Sequence, residues 1–493
     1  MWSCSGWLEA SVVAMRSGYK VCAVLAASVL AACGVLEPRL PAQQSGIPAE
    51  WPLPPTTGAG LDLPTAAPDD HAGRAGAAAA DIGWRDFFVD SNLEQLIALA
   101  LANNRDLRVA VLGVERARAQ YRIQRSARVP AVVATGALAR TGGEGLPVTD
   151  EARVTAGVAG FELDLFGRVR NLSEAQLQRY FAEEAAQRAA QLSLVAEIAN
   201  AYLTLGADRE LQRVAREALA NRQQALELTV KRHDLGAVSA LDVSQAQTAV
   251  ETARTDAARY AGQVAGDINA LTLLVGAPID PALLPVRFDL HVSGLGALPA
   301  GLPSEVLLRR PDVQQAERLL RAANANVGAA RAAFFPSISL TGSAGYTSDE
   351  LSTVFDSGTR VWSFSPQLNL PIFTGGRNVA SLKSANVDRD IALAQYEKAI
   401  QGGFSEVADA LALTHTLAEQ KASQEALVAA ATRADELSRV RYESGRDSYL
   451  VLLDSQRTLY GAQQTLITTQ LAEQSNRVLL YKLLGGGWHE ASR

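Results

Sequence analysis

The chain has 493 residues, 48% of them hydrophobic and 20% charged, the composition of a folded protein with room for several domain-sized units. A formal net charge of −6 and a pI of about 5.6 argue against a nucleic-acid partner, which would need a basic face. The three cysteines, Cys4, Cys22 and Cys33, all lie at the N-terminus, which excludes a disulfide framework or a cysteine zinc site in the body.

The N-terminus reads as a targeting segment. Arg16 and Lys20 precede an apolar run from Val21 to Ala32 that ends in Leu30-Ala31-Ala32-Cys33. That run is shorter than the roughly 20 residues a spanning helix needs. It fits a signal core followed by small residues at a cleavage site. The ending is that of a bacterial lipobox, so residues 1–32 are expected to be a lipoprotein signal peptide and Cys33 the lipidated mature N-terminus, carrying diacylglycerol and palmitate. A chance cysteine in an apolar helix is the competing reading. Met15 is an alternative start, and Gly34 in place of Asp suits sorting to the outer membrane.

Residues 33–90 form an expected extended leader, with Pro38, Pro41, Pro48, Pro52, Pro54, Pro55, Pro64 and Pro68 keeping it out of helices. Ser91-x-x-Glu94 has the spacing of a capping box that would start the first helix. Pro130 stops a helix and launches strands over about 130–140 and 152–165, joined by a polar loop at 141–151. No proline occurs between 148 and 277. The chain from Arg168 to His233 is Ala-rich, with Leu192, Val195, Ile198, Tyr202 and Leu205 at helical steps, and predicts one helix about 100 Å long. Gly206 and the pair Gly402-Gly403 mark bends or close helix approaches. After a connecting segment, 278–303, Ser304 caps the helix that opens the second half. Pro336 launches a further strand pair. Ile338, Leu340, Gly342, Ala344 and Tyr346 alternate with Ser337, Ser339, Thr341 and Ser343. Trp362, Phe364, Pro366, Leu368 and Leu370 alternate with Ser363, Ser365, Gln367 and Asn369. A second long helix is predicted over Arg377–Tyr442, and a tail at 486–493.

The second half repeats the plan of the first. Asp106 and Pro130 match Asp312 and Pro336; Thr135-Gly136 matches Thr341-Gly342. Leu163, Phe166, Arg170 and Asn171 match Leu370, Phe373, Arg377 and Asn378; Gly236, Leu241 and Gln247 match Gly445, Leu450 and Gln456. Two repeats, 91–277 and 304–485, therefore frame the body, each a helix, two strands, a very long helix, a turn and a long helix.

Strands with one apolar and one small polar face also occur in half-buried soluble sheets. In an exported chain, an uncharged wet face of Ser, Thr, Asn and Gln, on strands long enough for the apolar band, points to a membrane β-barrel. Four strands cannot close a barrel, and an open edge cannot face lipid, so chains must associate; three chains supply twelve strands. The fold class expected is α+β: a trimeric 12-stranded β-barrel, four strands per chain, continued by a long α-helical barrel.

These residues resemble the outer-membrane efflux protein family, TolC-like, and its lipidated OprM/NodT-like branch. The similarity runs along nearly all of the mature chain. It is carried by Asp90 to Asp106, Asp164-Leu165-Phe166-Gly167-Arg168, Leu302-Pro303-Ser304-Glu305 through Arg309-Arg310-Pro311-Asp312-Val313, Phe335-Pro336-Ser337-Ile338, and Pro371-Ile372-Phe373 with Gly375-Gly376-Arg377. The resemblance implies a homotrimeric exit duct of a tripartite efflux system, in the outer membrane and extending into the periplasm. It also implies docking to a periplasmic adaptor and an inner-membrane pump of the resistance-nodulation-division type, and a role in multidrug resistance. A duct for type I protein secretion is the alternative within the class, and a periplasmic helical scaffold without a pore the alternative outside it.

No enzymatic constellation occurs: His71, His233, His291, His415 and His489 are scattered, and no HExxH, P-loop or nucleophile elbow is present. Beyond the lipid on Cys33, no cofactor or metal is expected. The resemblance places Leu450 and Asp454 at a periplasmic constriction; at i and i+4 they share a helix face. Spacing alone would favour a solvated surface acid for Asp454. Three such carboxylates about 8 Å apart would repel by roughly 0.5 to 2 kcal/mol per pair, and Arg441 is the expected partner of Asp454. The turns at Leu235, Gly236 and Val238 and at Gly445 form tips, where Gly permits the left-handed geometry closing a helical hairpin. Exposed Leu235 and Val238 suggest adaptor contact; an ordinary helix–helix turn is the other reading.

Overall fold

The computed structural model describes residues 36–41, 47–48, 51, 82–288 and 304–486. The signal segment, the lipobox with Cys33, most of the leader, residues 289–303 of the connecting segment and the last seven residues lie outside the described residues. The elements are α1 (Trp84–Phe87), α2 (Ser91–Asn103), α3 (Arg105–Ser126), β1 (Val132–Gly143), β2 (Leu146–Leu163), α4 (Arg168–Asp234) and α5 (Ala240–Val275), then α6 (Pro311–Ala332), β3 (Ser337–Ser348), β4 (Arg360–Asn369), α7 (Arg377–Glu443) and α8 (Tyr449–Leu483). α4 and α7 have 67 residues each and begin and end within a residue of the helices read from the proline-free stretches.

The chain separates into two compact units, each drawing on both halves of the sequence. The first, residues 114–183 and 316–396 with the start of the leader, contains the sheet. Its four strands are antiparallel in the order β1-β2-β3-β4. Val132 pairs with Val158, Ala156 with Ala344, and Ile338 with Leu368. Between Val158 and Phe161 the β2–β3 register shifts, because Ala159 and Gly160 together oppose the single Thr341. Gly160 takes φ 64° there and donates its N–H to the Thr341 Oγ1 at 3.1 Å, the geometry of a bulge that only glycine adopts without strain.

The first hairpin corrects the sequence reading. The stretch 141–151 is not a loop: β1 and β2 run through it to a two-residue turn at Glu144-Gly145. Thr141 and Thr149 share a hydrogen bond at 2.7 Å and Arg140 faces Asp150 at 3.3 Å across the ladder. Polar side chains on both faces imitate a loop in sequence, yet pair across strands. β3 and β4 lie close to the strands expected, with a short 3-10 turn at Leu351–Thr353 between them. Pro366 sits in β4 at no cost to the β3 ladder. Thr347 N–H donates to the Thr359 carbonyl at 2.9 Å, which turns the odd-numbered backbone groups of β4 toward β3 and the Pro366 nitrogen away.

The second unit is helical. Trp84, Phe87, Phe88, Leu93, Leu96 and Ile97 pack with Ile198, Leu205, Leu271, Val275 and Tyr481 into its largest core. Leu192, Val195, Ile198, Tyr202 and Leu205, the helical stripe read from sequence, are all buried. Each such aliphatic side chain contributes about 1.5–3 kcal/mol by leaving water. Phe87 stacks on Tyr481 at 3.8 Å, and the Tyr481 hydroxyl donates to the Ile82 carbonyl at 2.6 Å. Two helix starts differ from expectation. The N-cap of α2 is Asp90, not Ser91: its Oδ1 accepts from Asn92 N and Leu93 N while its Oδ2 accepts from the Tyr202 hydroxyl at 2.8 Å. A carboxylate that also anchors another helix outcompetes a serine one position on. Ser304 opens a 3-10 turn, Ser304–Arg309, and the helix itself begins at Pro311, whose fixed φ and missing N–H suit a first helical position. Gly403 lets α7 approach closely: a Cβ there would lie 3.2 Å from Leu307 and 3.3 Å from Arg310.

Candidate channel wall and helix tips

The sheet carries two chemically distinct faces. Even-numbered residues of β4 put Trp362, Phe364 and Leu368 on one face, with Leu340 and Ile338 of β3 and Phe161 and Leu163 of β2 beside them. Trp362 is 80% exposed and Val132 of β1 73% exposed, so this apolar face has no cover among the described residues. The opposite face carries small hydroxyls, with Ser343 and Ser363 bonded to each other at 2.9 Å. No helix among the described residues is long and apolar enough to cross a membrane. An apolar face backed by a face of small hydroxyls is the alternation of a strand with lipid on one side and water on the other.

At the far ends of the long helices two hairpin tips are built alike. In the first, Gly236 N–H reaches His233 O and Ala237 N–H reaches Arg232 O, both at 2.8 Å, with Gly236 at φ 73°. In the second, Gly445 N–H reaches Tyr442 O and Arg446 N–H reaches Arg441 O, both at 2.9 Å, with Gly445 also at φ 73°. These paired bonds satisfy the last carbonyls of each helix and require a left-handed residue, which explains both glycines. Ser239 and Asp242 cap α5 reciprocally.

The tips are tied together by residues the sequence reading passed over. Arg232, in the last turn of α4, donates to the Tyr442 and Glu443 carbonyls, each at 2.9 Å, and its guanidinium lies 4.6 Å over the Tyr442 ring. The arginine thus caps the negative end of α7, as a cation near a helix C-terminus should. The Tyr442 hydroxyl bonds Thr229 Oγ1 at 2.8 Å, and its ring meets Tyr449 edge-on at 5.9 Å. Burial pushes the Tyr449 phenol up to about 12. The one available signal was positional: a basic residue one turn before each tip glycine. A cleft of about 650 Å³ lies against Arg232, Ser239, Asp242, Tyr442, Arg446 and Asp447.

Of the residues singled out from sequence, Leu235 is 83% exposed, whereas Val238 is half-buried. Leu241 is exposed beside them. Leu450 is 57% exposed and shares an outward face with Val451 and Asp454, while Tyr449, Leu452 and Leu453 on the other side are buried. Arg441 does not pair with Asp454. Its Nε and Nη2 grip Asp447 at 2.6 and 2.8 Å across the tip turn. This fork holds the Asp447 carboxyl below the usual carboxylate range through its hydrogen bonds and charge. Asp447 stands on the same tight turn, whereas Asp454 lies further along α8. Away from the tips, burial together with the hydrogen bond and charge of Asp267 pushes the Asp208 carboxyl up to about 6, against a smaller opposing pull from Arg259.

A sheet with one apolar and one hydroxyl-bearing face, in a chain that also carries two 67-residue helices, fits a channel-forming protein of the outer membrane. The model of the outer membrane efflux protein family matches residues 96–277 and again 302–486. The chain is 46% identical over 473 residues to the antibiotic efflux pump outer membrane protein ArpC of Pseudomonas putida, covering 94% of each. It is 44% identical to the outer membrane protein OprJ of Pseudomonas aeruginosa, covering 85% of this chain and 89% of that one. Among solved structures, the open state of the Neisseria gonorrhoeae MtrE outer membrane channel superposes with a TM-score of 0.82 at 37% identity, covering 92% of this chain and 99% of the other. CusC superposes with a TM-score of 0.79 at 38% identity, covering 91% and 100%. The chain belongs to the outer membrane efflux protein family: it is an outer-membrane efflux channel component, and its family consists of channels rather than enzymes.

Proposed function

We propose that three copies of this chain form the exit duct of a tripartite efflux system, passing drugs or other small toxic compounds delivered by an inner-membrane pump of the resistance-nodulation-division type through a periplasmic adaptor. The observation that carries the trimer is the four-stranded sheet with two outer strands and an uncovered apolar face. Lipid cannot satisfy a free strand edge, and three sheets of four strands reach a closed barrel. The two family-model matches and the shared element order support an internal structural repeat. The long helices would continue the barrel as a helical tunnel, and Cys33 would carry a lipid anchor. At the tips, rings of Leu450 and Asp454 would narrow the resting pore, with Arg441 ordering the second tip through Asp447. Leu235, Gly236, Val238 and Gly445 would meet the adaptor.

The test joins stoichiometry to conduction. Native mass spectrometry in detergent should give three chains, and the same preparation should conduct in planar bilayers. A monomer, or a trimer that conducts nothing even after substitution at Leu450 and Asp454, would overturn the reading. Type I protein secretion would show instead as export of a protein substrate without any change in drug susceptibility.

A further inference from the structure

The outer strands β1 and β4 are exposed along nearly all of their length, whereas inner β3 is mostly half-buried. On the trimer reading, on which this inference rests, β4 of one chain must meet β1 of the next. That seam joins the end of a second repeat to the start of a first. The chain already contains the complementary junction, from first repeat to second, in its β2–β3 ladder. The register of the seam can therefore be transferred from the register observed inside the chain.

The transfer depends on which residues are equivalent. Pro130 and Pro336 launch β1 and β3, making Val132 the counterpart of Ile338. Val132 pairs with Val158 and Ile338 with Leu368, making Val158 the counterpart of Leu368. The offset between repeats is larger in the returning strands because the β3–β4 connection is longer than the turn at Glu144-Gly145. The bulge in β2 then removes one residue of offset, which brings Arg168 opposite Arg377 and Gly236 opposite Gly445, the starts and ends of α4 and α7. This replaces the pairing of Arg170 with Arg377 suggested by sequence.

We propose that β4 pairs antiparallel with β1 of the next copy so that Trp362 faces Gly142, Ser365 faces Ala139, Leu368 faces Gly136 and Leu370 faces Ala134. The transferred ladder is unbroken, because β4 has no bulge against β3. One hydrogen bond not used in the transfer agrees with it. Thr347 N–H donating to Thr359 O turns odd-numbered β4 groups toward β3, leaving the even-numbered ones free. Alternation across the three observed ladders leaves the even-numbered groups of β1 free as well. The proposed register pairs even with even. It also sets Trp362 over Gly142, repeating the bulky-on-glycine pair Phe364 with Gly342 inside the chain. Pro366 leaves this seam one hydrogen bond short opposite Leu138. A slip of one residue would put the apolar row of β4 against the row of β1 that carries Thr135 and Thr141.

Cysteine cross-linking tests the register. Ser365 and Ala139 form a non-hydrogen-bonded pair, with Cα atoms about 4.5 Å apart, within disulfide reach. Purified Ala139→Cys/Ser365→Cys channel, oxidised in detergent, should run as a covalent trimer that reductant dissolves. Ala137→Cys/Ser365→Cys, slipped by two on the same face, should cross-link at least about tenfold more slowly, its Cα atoms lying beyond disulfide reach. Thr141→Cys/Ser363→Cys samples the same register at another step, so misfolding of one pair leaves the other to decide. Faster cross-linking of the slipped pair, or a three-chain mass without bonding at either in-register pair, overturns the register alone. A mass other than three chains overturns the trimer reading beneath it.

Discussion

Replacing Arg232 by Ala removes the clamp between the two tips. The lost contacts are two hydrogen bonds from a guanidinium to the Tyr442 and Glu443 carbonyls, at 2.9 Å each, and the approach to the Tyr442 ring at 4.6 Å. A hydrogen bond from a charged group contributes about 1.5–3 kcal/mol when buried. Arg232 is half-buried, so water replaces part of that and the pair contributes nearer the lower figure. The ring contact adds about 0.5–1 kcal/mol. A loss of about 2 kcal/mol raises the locally opened population of the tip roughly 30-fold, at 1.4 kcal/mol per factor of ten. Hydrogen exchange read by mass spectrometry on a peptide covering Ser444, Gly445 and Arg446 reports that opening, because their amides bond Val440, Tyr442 and Arg441 carbonyls. Protection should fall by roughly that factor in Arg232→Ala and by less in Arg232→Lys, which keeps a charge but loses the planar fork. Unchanged exchange in the alanine variant would refute the clamp.

Leu450→Ala and Asp454→Asn should each raise single-channel conductance. Asp454→Asn should also lower cation preference, and that difference should fade near 1 M salt, where the screening length is about 3 Å; equal conductance and selectivity at low salt would move the constriction elsewhere. Mass spectrometry of the mature N-terminus should find a diacylglyceryl group on Cys33, with Cys33→Ala losing the lipid while the trimer persists. Asp208, raised to about 6, binds a proton more tightly folded than unfolded. Its contribution is therefore complete below the ordinary aspartate range and is lost as pH rises through 6. Asp267→Asn should flatten the slope of thermal stability between pH 4 and 7, and an unaltered slope would exclude the pair as its source.

Much of this architecture is legible in the sequence because its determinants are local. A helix needs no distant partner to exclude proline or to repeat apolar residues at steps of three and four, and so α4 and α7 could be bounded to within a residue. The glycines at the tips were readable for the same reason: a left-handed position selects its residue wherever the chain then goes. The strands of the second half were readable because one face is apolar throughout. What only the tertiary structure decided depends on groups far apart in sequence. The polar run at 141–151 became strand because Thr141 and Arg140 found Thr149 and Asp150 opposite them. Asp90 displaced Ser91 as a cap because Tyr202 waited across the core. Arg441 took Asp447 because the turn at Gly445 folds one back toward the other. The sequence spacing of β4 from β3, against that of β2 from β1, was likewise set by a loop length, and the β2–β3 register by a bulge, neither of which leaves a local mark. Short-range steric and hydrophobic preferences are written residue by residue, whereas hydrogen-bond partners and strand register are settled only when the backbone brings competing groups within reach.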